Sequence, residues 1–397
     1  MDLTPYFKYM AERKASDLFI SAGAPVYIKI EGELKAANKQ PLTAAQAKEA
    51  IYALMTEAHR AEFEREQELN FGFSVQDLGR FRVNVFYQRG SVALVVRFIQ
   101  NDVPSIEALH LPPVLGDLAL EKRGLVLVVG ATGSGKSTTL ASMLNYRNTH
   151  RAGHILTVED PIEYVHKHKR SIVNQREVGV DTKSFNNALV NAMREAPDVL
   201  MIGEIRDENS MRQAMIYTQT GHLCLATLHA NNAYHALTRI VSFFPPESRE
   251  HHLHDLSVSL KAIISQRLVR GLDGKRIAAT EILQNSLHIA ELIIKQDVDA
   301  IKEAMERSMV DGTQTFEQAL YYLYKSGKIS LDEALGNADS RTNLEWLIKN
   351  TGKDNKTMET VMRNAGEGQG RNSFENITIM PEMLDQGRPS QIKDSEQ

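Results

Sequence analysis

Gly124-Leu-Val-Leu-Val-Val129-Gly130-Ala131-Thr132-Gly133-Ser134-Gly135-Lys136-Ser137-Thr138 decides how the rest of this chain is read. An apolar run passes into a loop with glycines at 130, 133 and 135, and a helix-forming segment follows from Thr138 to Tyr146. A buried strand, a Gly-x-x-x-x-Gly-Lys-Ser loop and a helix, in that order, form a phosphate-binding P-loop. Glycine leaves room for backbone N–H groups to close around a phosphate. Lys136 supplies a cation for the β- and γ-phosphates, and the Ser137 hydroxyl is suited to Mg²⁺. The helix aims the positive end of its dipole at the same anion. Residues Gly130 to Thr138 are therefore expected to bind ATP with Mg²⁺.

Outward from the loop the pattern alternates. Apolar strands are expected at Gly124–Val129, His154–Val158, Asp198–Ile202 and Leu223–Leu228, with helices at Ser184–Glu195 and Glu208–Gln219 between them. Such alternation predicts an α/β domain, a parallel sheet covered on both faces with its ligand at the carboxyl ends of the strands. Residues 1–100 read instead as a small α+β domain, with strands at Pro25–Glu33, Phe71–Val75, Arg80–Gln88 and Val92–Ile99. Residues 101–113, with Pro104, Pro112 and Pro113, read as a linker, and 114–285 as the nucleotide domain. Residues 286–350 read as a helical region that includes one helix from Ala290 to Arg307. Beyond Asn350 periodicity is lost, and 351–397 is expected to be a flexible tail.

Two acidic strand ends complement the P-loop. Thr157-Val-Glu159-Asp160-Pro161-Ile-Glu163 offers Glu163 to orient the attacking water, and Met201-Ile-Gly203-Glu204 offers Glu204 to hold Mg²⁺ together with Ser137. His229, at the carboxyl end of the last strand, is placed to sense a γ-phosphate, whereas His222 reads equally well as structural. His251, His252 and His254 fall on diverging faces of a helix and make no metal site. Charge developing on the γ-phosphate calls for an arginine. Arg80, Arg82, Arg89 and Arg97 are all available, and the residues alone do not choose among them.

With 397 residues, a net charge of −4 and a single cysteine, Cys224, the chain is expected to be a soluble cytoplasmic protein without disulfides. It shows neither a signal peptide nor a run of the ~20 apolar residues that a membrane span requires. The acidic balance and the lack of a basic stripe interleaved with aromatics argue against nucleic acid as a partner.

These motifs resemble the secretion-type ATPases that power type IV pili, in the PilT/PilU retraction family. The similarity runs from Ala15 to about Lys349 and rests on four features. They are the P-loop, the acidic box Thr157–Glu163, the Walker B strand ending in Glu204, and the histidine box Thr220–His229. The resemblance implies a PAS-like N-terminal domain joined to a RecA-like ATPase domain with a helical C-terminal region. It implies a homo-hexamer, peripheral at the inner membrane, with an inner-membrane pilus platform protein and a PilT-like paralogue as partners. It further implies that Glu163 is the catalytic glutamate, that Glu204 is the Walker B acid, and that Arg82 and Arg97 contact nucleotide. One stretch departs from the pattern. Where the PilT branch carries Ala-Ile-Arg-Asn-Leu-Ile-Arg-Glu, this chain has His288-Ile-Ala290-Glu-Leu-Ile-Ile294-Lys295, which favours the accessory PilU branch. A retraction motor is thus expected, driving retraction itself or assisting PilT. A non-hydrolysing ATP-bound scaffold and a nucleic-acid translocase are the alternatives. Phosphate release distinguishes the first, and salt-dependent DNA affinity the second.

Overall fold

The computed structural model describes residues 2–350, apart from Glu31, Asp77, Gln100, Asn101 and Met309. The tail expected over 351–397 lies outside the described residues.

The N-terminal α+β domain runs α1 (Thr4–Arg13), β1 (Asp17–Ile20), β2 (Tyr27–Ile30), β3 (Glu33–Ala36), α2 (Ala44–Ala53), α3 (Glu57–Glu66), β4 (Glu68–Val75), β5 (Gly79–Gln88) and β6 (Ser91–Ile99). Its strands form one antiparallel sheet in the order β3-β2-β1-β6-β5-β4. The single strand expected over Pro25–Glu33 is a hairpin, turned at Gly32 with φ +86°. Phe81, Val83 and Val85 face the helices and are fully buried. The intervening Arg80 and Arg82 point to the opposite face, because strand side chains alternate.

From Ile106 the chain packs under the second domain, where Ile106 and Leu111 are buried, so the proline-rich 101–113 segment is anchored along part of its length. The second domain then runs α4 (Val114–Leu120), β7 (Gly124–Val129), α5 (Lys136–His150), β8 (Gly153–Glu159), β9 (Ser171–Glu177), α6 (Phe185–Ala192), β10 (Val199–Ile202), α7 (Glu208–Gln219), β11 (Leu223–Leu228), α8 (Ala233–Phe243), α9 (Pro246–Ser259), β12 (Leu260–Arg270) and β13 (Arg276–Gln284). The sheet order is β13-β12-β7-β11-β10-β8-β9, parallel except for the β12–β13 hairpin. Leu125, Leu127 and Val129 enter the core on one face, and Val126 and Val128 the core on the other. This explains why β7 reads as an unbroken apolar run.

Seven further strands or helices were not legible: β1, α3, α4, β9, α8, β12 and β13. The C-terminal region comprises α10 (Leu287–Lys295), α11 (Val298–Glu306), α12 (Phe316–Lys325), α13 (Leu331–Asn337) and α14 (Arg341–Asn350). The one helix expected over Ala290–Arg307 is two. Gln296 turns left-handed at φ +57°, and Asp297 caps a new helix by accepting from Ala300 N. Together α10 and α11 bury Ile289, Leu292, Ile293, Ile301 and Met305 against the seven-stranded sheet. The last three helices build a separate core around Phe316, Leu320 and Leu344.

Candidate active site

The P-loop leaves β7 at the carboxyl edge of the sheet, between β12 and β11. Gly130 tolerates no side chain there, since a Cβ would lie 2.6 Å from the Gln266 carbonyl oxygen. Gly135 takes φ +89°, and a Cβ on it would stand 2.7 Å from Gln266 Nε2. Lys136 opens α5 and is buried. Its Nζ donates to the carbonyl oxygens of Gly130, at 2.9 Å, and Ala131, at 3.0 Å. Burial lowers its pKa, opposed by the charge of Glu204.

A cavity of about 640 Å³ opens beside this loop. Thr132, Gly133, Gly135, Lys136, Ser137 and Thr138 line it, together with Glu163, Glu204, His229 and Arg97. Gly130 and Ala131 instead line an adjoining pocket that His229 shares. Ser134 and Arg82 are absent from both linings. The site thus assembles most of the expected residues. They come from the ends of β7, β8, β10 and β11 and from the N-terminal domain.

At its centre, Glu204 Oε2 accepts from Arg206 Nε at 2.7 Å, and its Oε1 lies 3.1 Å from His229 Nε2. Arg206 also reaches Asp160 at 3.3 Å. Burial, and then the nearby Lys136 charge, lower the pKa of His229 against the pull of Glu204. Glu163 is exposed at the mouth of the cavity, and its backbone N–H donates to the carboxylate of Glu159.

Glu159 sits inside the cavity wall, 5% exposed, and accepts from Thr157 Oγ1 at 2.6 Å and Gln175 Nε2 at 3.1 Å. Burial pushes its pKa up to about 7. Gln175 Nε2 also donates to the Tyr164 carbonyl at 2.8 Å, and the Tyr164 hydroxyl meets Thr138 Oγ1 at 2.9 Å. This chain of bonds ties the segment carrying Glu163 to the helix that follows the P-loop.

Sequence reasoning also missed Gln266. It is buried on β12, donates Nε2 to Ser134 O at 2.8 Å and accepts from Thr139 Oγ1 at 2.6 Å. No local signal marks it, because its strand was not legible and its partners lie more than a hundred residues away.

The arginines separate by register. Arg82 stands opposite Arg97 and Arg80 opposite Ile99, so all three share one face of the N-terminal sheet. Arg97 lines the cavity, with Nε on Asp17 Oδ1 at 2.8 Å. Arg80 pairs with Glu177 of the second domain at 3.1 Å. Arg89 lies in the β5–β6 turn. His222 is held by Thr220 Oγ1 at 3.0 Å and packs against Tyr217. His252 stacks on Phe244 with centroids 4.1 Å apart, and no cluster of metal-ligating side chains occurs among the described residues.

A P-loop at the edge of a parallel sheet, two acids and a histidine near successive strand ends, and an arginine from a second domain are the parts of a P-loop nucleotide hydrolase. The chain belongs to the type II/IV secretion system protein family, whose model matches residues 2–369. Within it, the chain is 49% identical over 350 residues to the type IV pilus ATPase PilU of Pseudomonas aeruginosa, covering 88% of this chain and 92% of that protein. It is 41% identical over 334 residues to the type IV pilus retraction ATPase PilT of the same organism, covering 84% and 97%. The crystal structure of the pilus retraction motor PilT with bound ADP superposes with a TM-score of 0.81 at 43% identity, covering 87% of this chain and 99% of that one.

Proposed function

We propose that this protein is an ATPase motor that hydrolyses ATP to drive, or to assist a PilT-like paralogue in driving, retraction of type IV pili. The observation that carries this is the convergence of Lys136, Ser137, Glu163, Glu204, His229 and Arg97 on one cavity. The ADP held by PilT supports a nucleotide as its occupant.

In this reading Lys136 leaves the two loop carbonyls for the β- and γ-phosphates. Ser137 and Glu204 hold Mg²⁺, an all-oxygen donor set suited to that ion, which neutralises charge on the phosphates. Glu163, at the open mouth, orients the attacking water, and His229 offers Nε2–H to the γ-phosphate. Arg97 stabilises the charge that develops there. Arg82 is assigned a part that requires the N-terminal domain to close further, because its side chain does not reach the cavity wall. Closure on binding and opening after product release would supply the motion.

The working form is a homo-hexamer docked through an inner-membrane platform protein. No helix among the described residues is long and apolar enough to cross a membrane, so the membrane association would run through that partner. An assisting role is supported by α10, where Ala290, Ile294 and Lys295 replace the charged pattern of the PilT branch.

The test is phosphate release by the purified full-length chain, alongside twitching of strains lacking it with and without the paralogue. Absence of ATP-dependent phosphate release, alone and mixed with the paralogue, refutes the enzymatic reading.

A further inference from the structure

We propose that the ion pair between Arg80 and Glu177 is an interdomain latch that holds the N-terminal domain against the ATP cavity, making both residues positioning residues for hydrolysis. The inference rests on the role given above to Arg97.

The two residues belong to different domains and lie 97 positions apart in the chain. Arg80 Nη2 donates to Glu177 Oε2 at 3.1 Å, with the side chains only 21% and 8% exposed. Among the ion pairs with described geometry, this is the one that joins the N-terminal sheet to the nucleotide sheet.

Each end is joined to the cavity by one step of strand pairing. Arg80 faces Ile99 across the β5–β6 ladder, and Arg97, Phe98 and Ile99 line the cavity. Glu177 ends β9 in register with Glu159 of β8, another cavity residue. Val178 N–H donates to the Glu159 carbonyl at 2.9 Å, and Glu177 N–H donates to Asp181 Oδ2 at 2.9 Å, so this strand end is held on both sides. The guanidinium crosses Gly72 on β4, where a Cβ would stand 2.9 Å from Nη2 and push it off this path. The cavity wall is therefore bolted to β5, the strand paired with the one that carries Arg97.

The chemistry fits a latch better than a surface pair. Exposed ion pairs contribute little, whereas removing one partner of a mostly buried pair leaves an uncompensated charge. A buried Glu177 carboxylate without Arg80 would draw water into the domain junction and let the two sheets part. A shift of about 1 Å in a positioning group is enough to cost on the order of 10²-fold in rate.

The test measures steady-state phosphate release and melting temperature for the full-length chain and six variants. These are Arg80→Ala, Glu177→Gln, the charge swap Arg80→Glu/Glu177→Arg, Arg97→Ala, Arg80→Ala/Arg97→Ala and Glu177→Gln/Arg97→Ala. Arg80→Ala and Glu177→Gln should each lower kcat roughly 10- to 100-fold with KM changed less than about 3-fold. The swap should recover most of that loss. In the Arg97→Ala background, neither Arg80→Ala nor Glu177→Gln should cost more than about 2-fold, because both act through Arg97.

A loss of the same factor in both backgrounds overturns the latch, as does a folded swap no more active than the single variants. If Arg97→Ala lowers turnover while Arg80→Ala does not, the latch fails and the role of Arg97 stands. If Arg97→Ala has no effect, both fail. The swap keeps both charges, so it decides the question even where a single variant does not fold.

Discussion

Glu204 Oε1 lies 3.1 Å from Nε2 of His229, so the tips of two adjacent strands meet at the cavity. Arg206 takes the other carboxylate oxygen at 2.7 Å. Both oxygens thus have a side-chain nitrogen within 3.1 Å, and Lys136 is held by the loop carbonyls. In the proposed mechanism, nucleotide binding exchanges these internal partners for phosphate and Mg²⁺. That exchange links occupancy of the cavity to the positions of β10, β11 and the P-loop.

Lys136→Ala should abolish productive ATP binding, because among the residues that the phosphate loop gives to the cavity wall, Lys136 is the one with a cationic side chain. Equilibrium binding of a fluorescent ATP analogue and ATP-dependent thermal stabilisation should both be lost. Binding within threefold of the parent chain would show that the loop does not hold the phosphates.

Glu163→Gln and Glu204→Ala should both stop hydrolysis, by about 100-fold or more, but for different reasons. A water-orienting carboxylate acts mainly in the transition state, so Glu163→Gln should bind ATP normally. Glu204→Ala should weaken the Mg²⁺ dependence of binding, because it removes the oxygen proposed to hold the metal. A Glu163→Gln protein that binds ATP as poorly as Lys136→Ala contradicts the assigned role.

Gln266→Leu should lower stability by about 1–3 kcal/mol, since it leaves the buried Ser134 carbonyl and Thr139 hydroxyl without their partner. The same variant should raise KM for ATP more than it lowers kcat, because the change acts on the shape of the phosphate loop. Unchanged melting and KM would show that β12 does not brace that loop.

Glu281 provides a pH-dependent test. It is 5% exposed and accepts from Ala233 N–H at 2.7 Å and Ser265 Oγ at 2.9 Å, and burial pushes its pKa up to about 7 from 4.5. A carboxyl whose folded pKa is raised binds its proton more tightly in the folded state. Its stability contribution is complete below pH 4.5 and is lost as pH rises through about 7. Glu281→Gln keeps the acceptor oxygen and removes the titration. It should melt like the parent at pH 5 and several degrees higher at pH 8. Equal melting shifts at the two pH values would show that Glu281 is not the titrating group.

The phosphate-binding end of the site was legible because its constraints are local. Glycines at 133 and 135 supply positive φ within a few residues of the lysine and serine they position, at +79° and +89°. Glu204 and His229 were legible because each ends a fully buried strand, and the end of a parallel strand marks where a ligand can lie. The β12–β13 hairpin escaped notice because its partly charged sequence, Gln266-Arg-Leu-Val-Arg270, shows no clean alternation. Helix α11 was merged with α10 because the left-handed Gln296 lacks the glycine that usually signals such a stop.

By itself the sequence determined the class of chemistry: a phosphate loop, two candidate acids, a histidine and an α/β sheet to carry them. These follow from residue type and short-range spacing, which the backbone converts directly into strands, turns and charge. Which arginine reaches the cavity was decided only by tertiary structure. Arg80, Arg82 and Arg97 share one sheet face and one chemistry, and sequence spacing cannot rank them. Their different fates depend on where a second domain rests, with Arg97 at the cavity, Arg80 on Glu177 and Arg82 on neither. The same holds for Gln266, whose partners lie 127 and 132 residues away, since contacts of that range leave no period in the sequence to read.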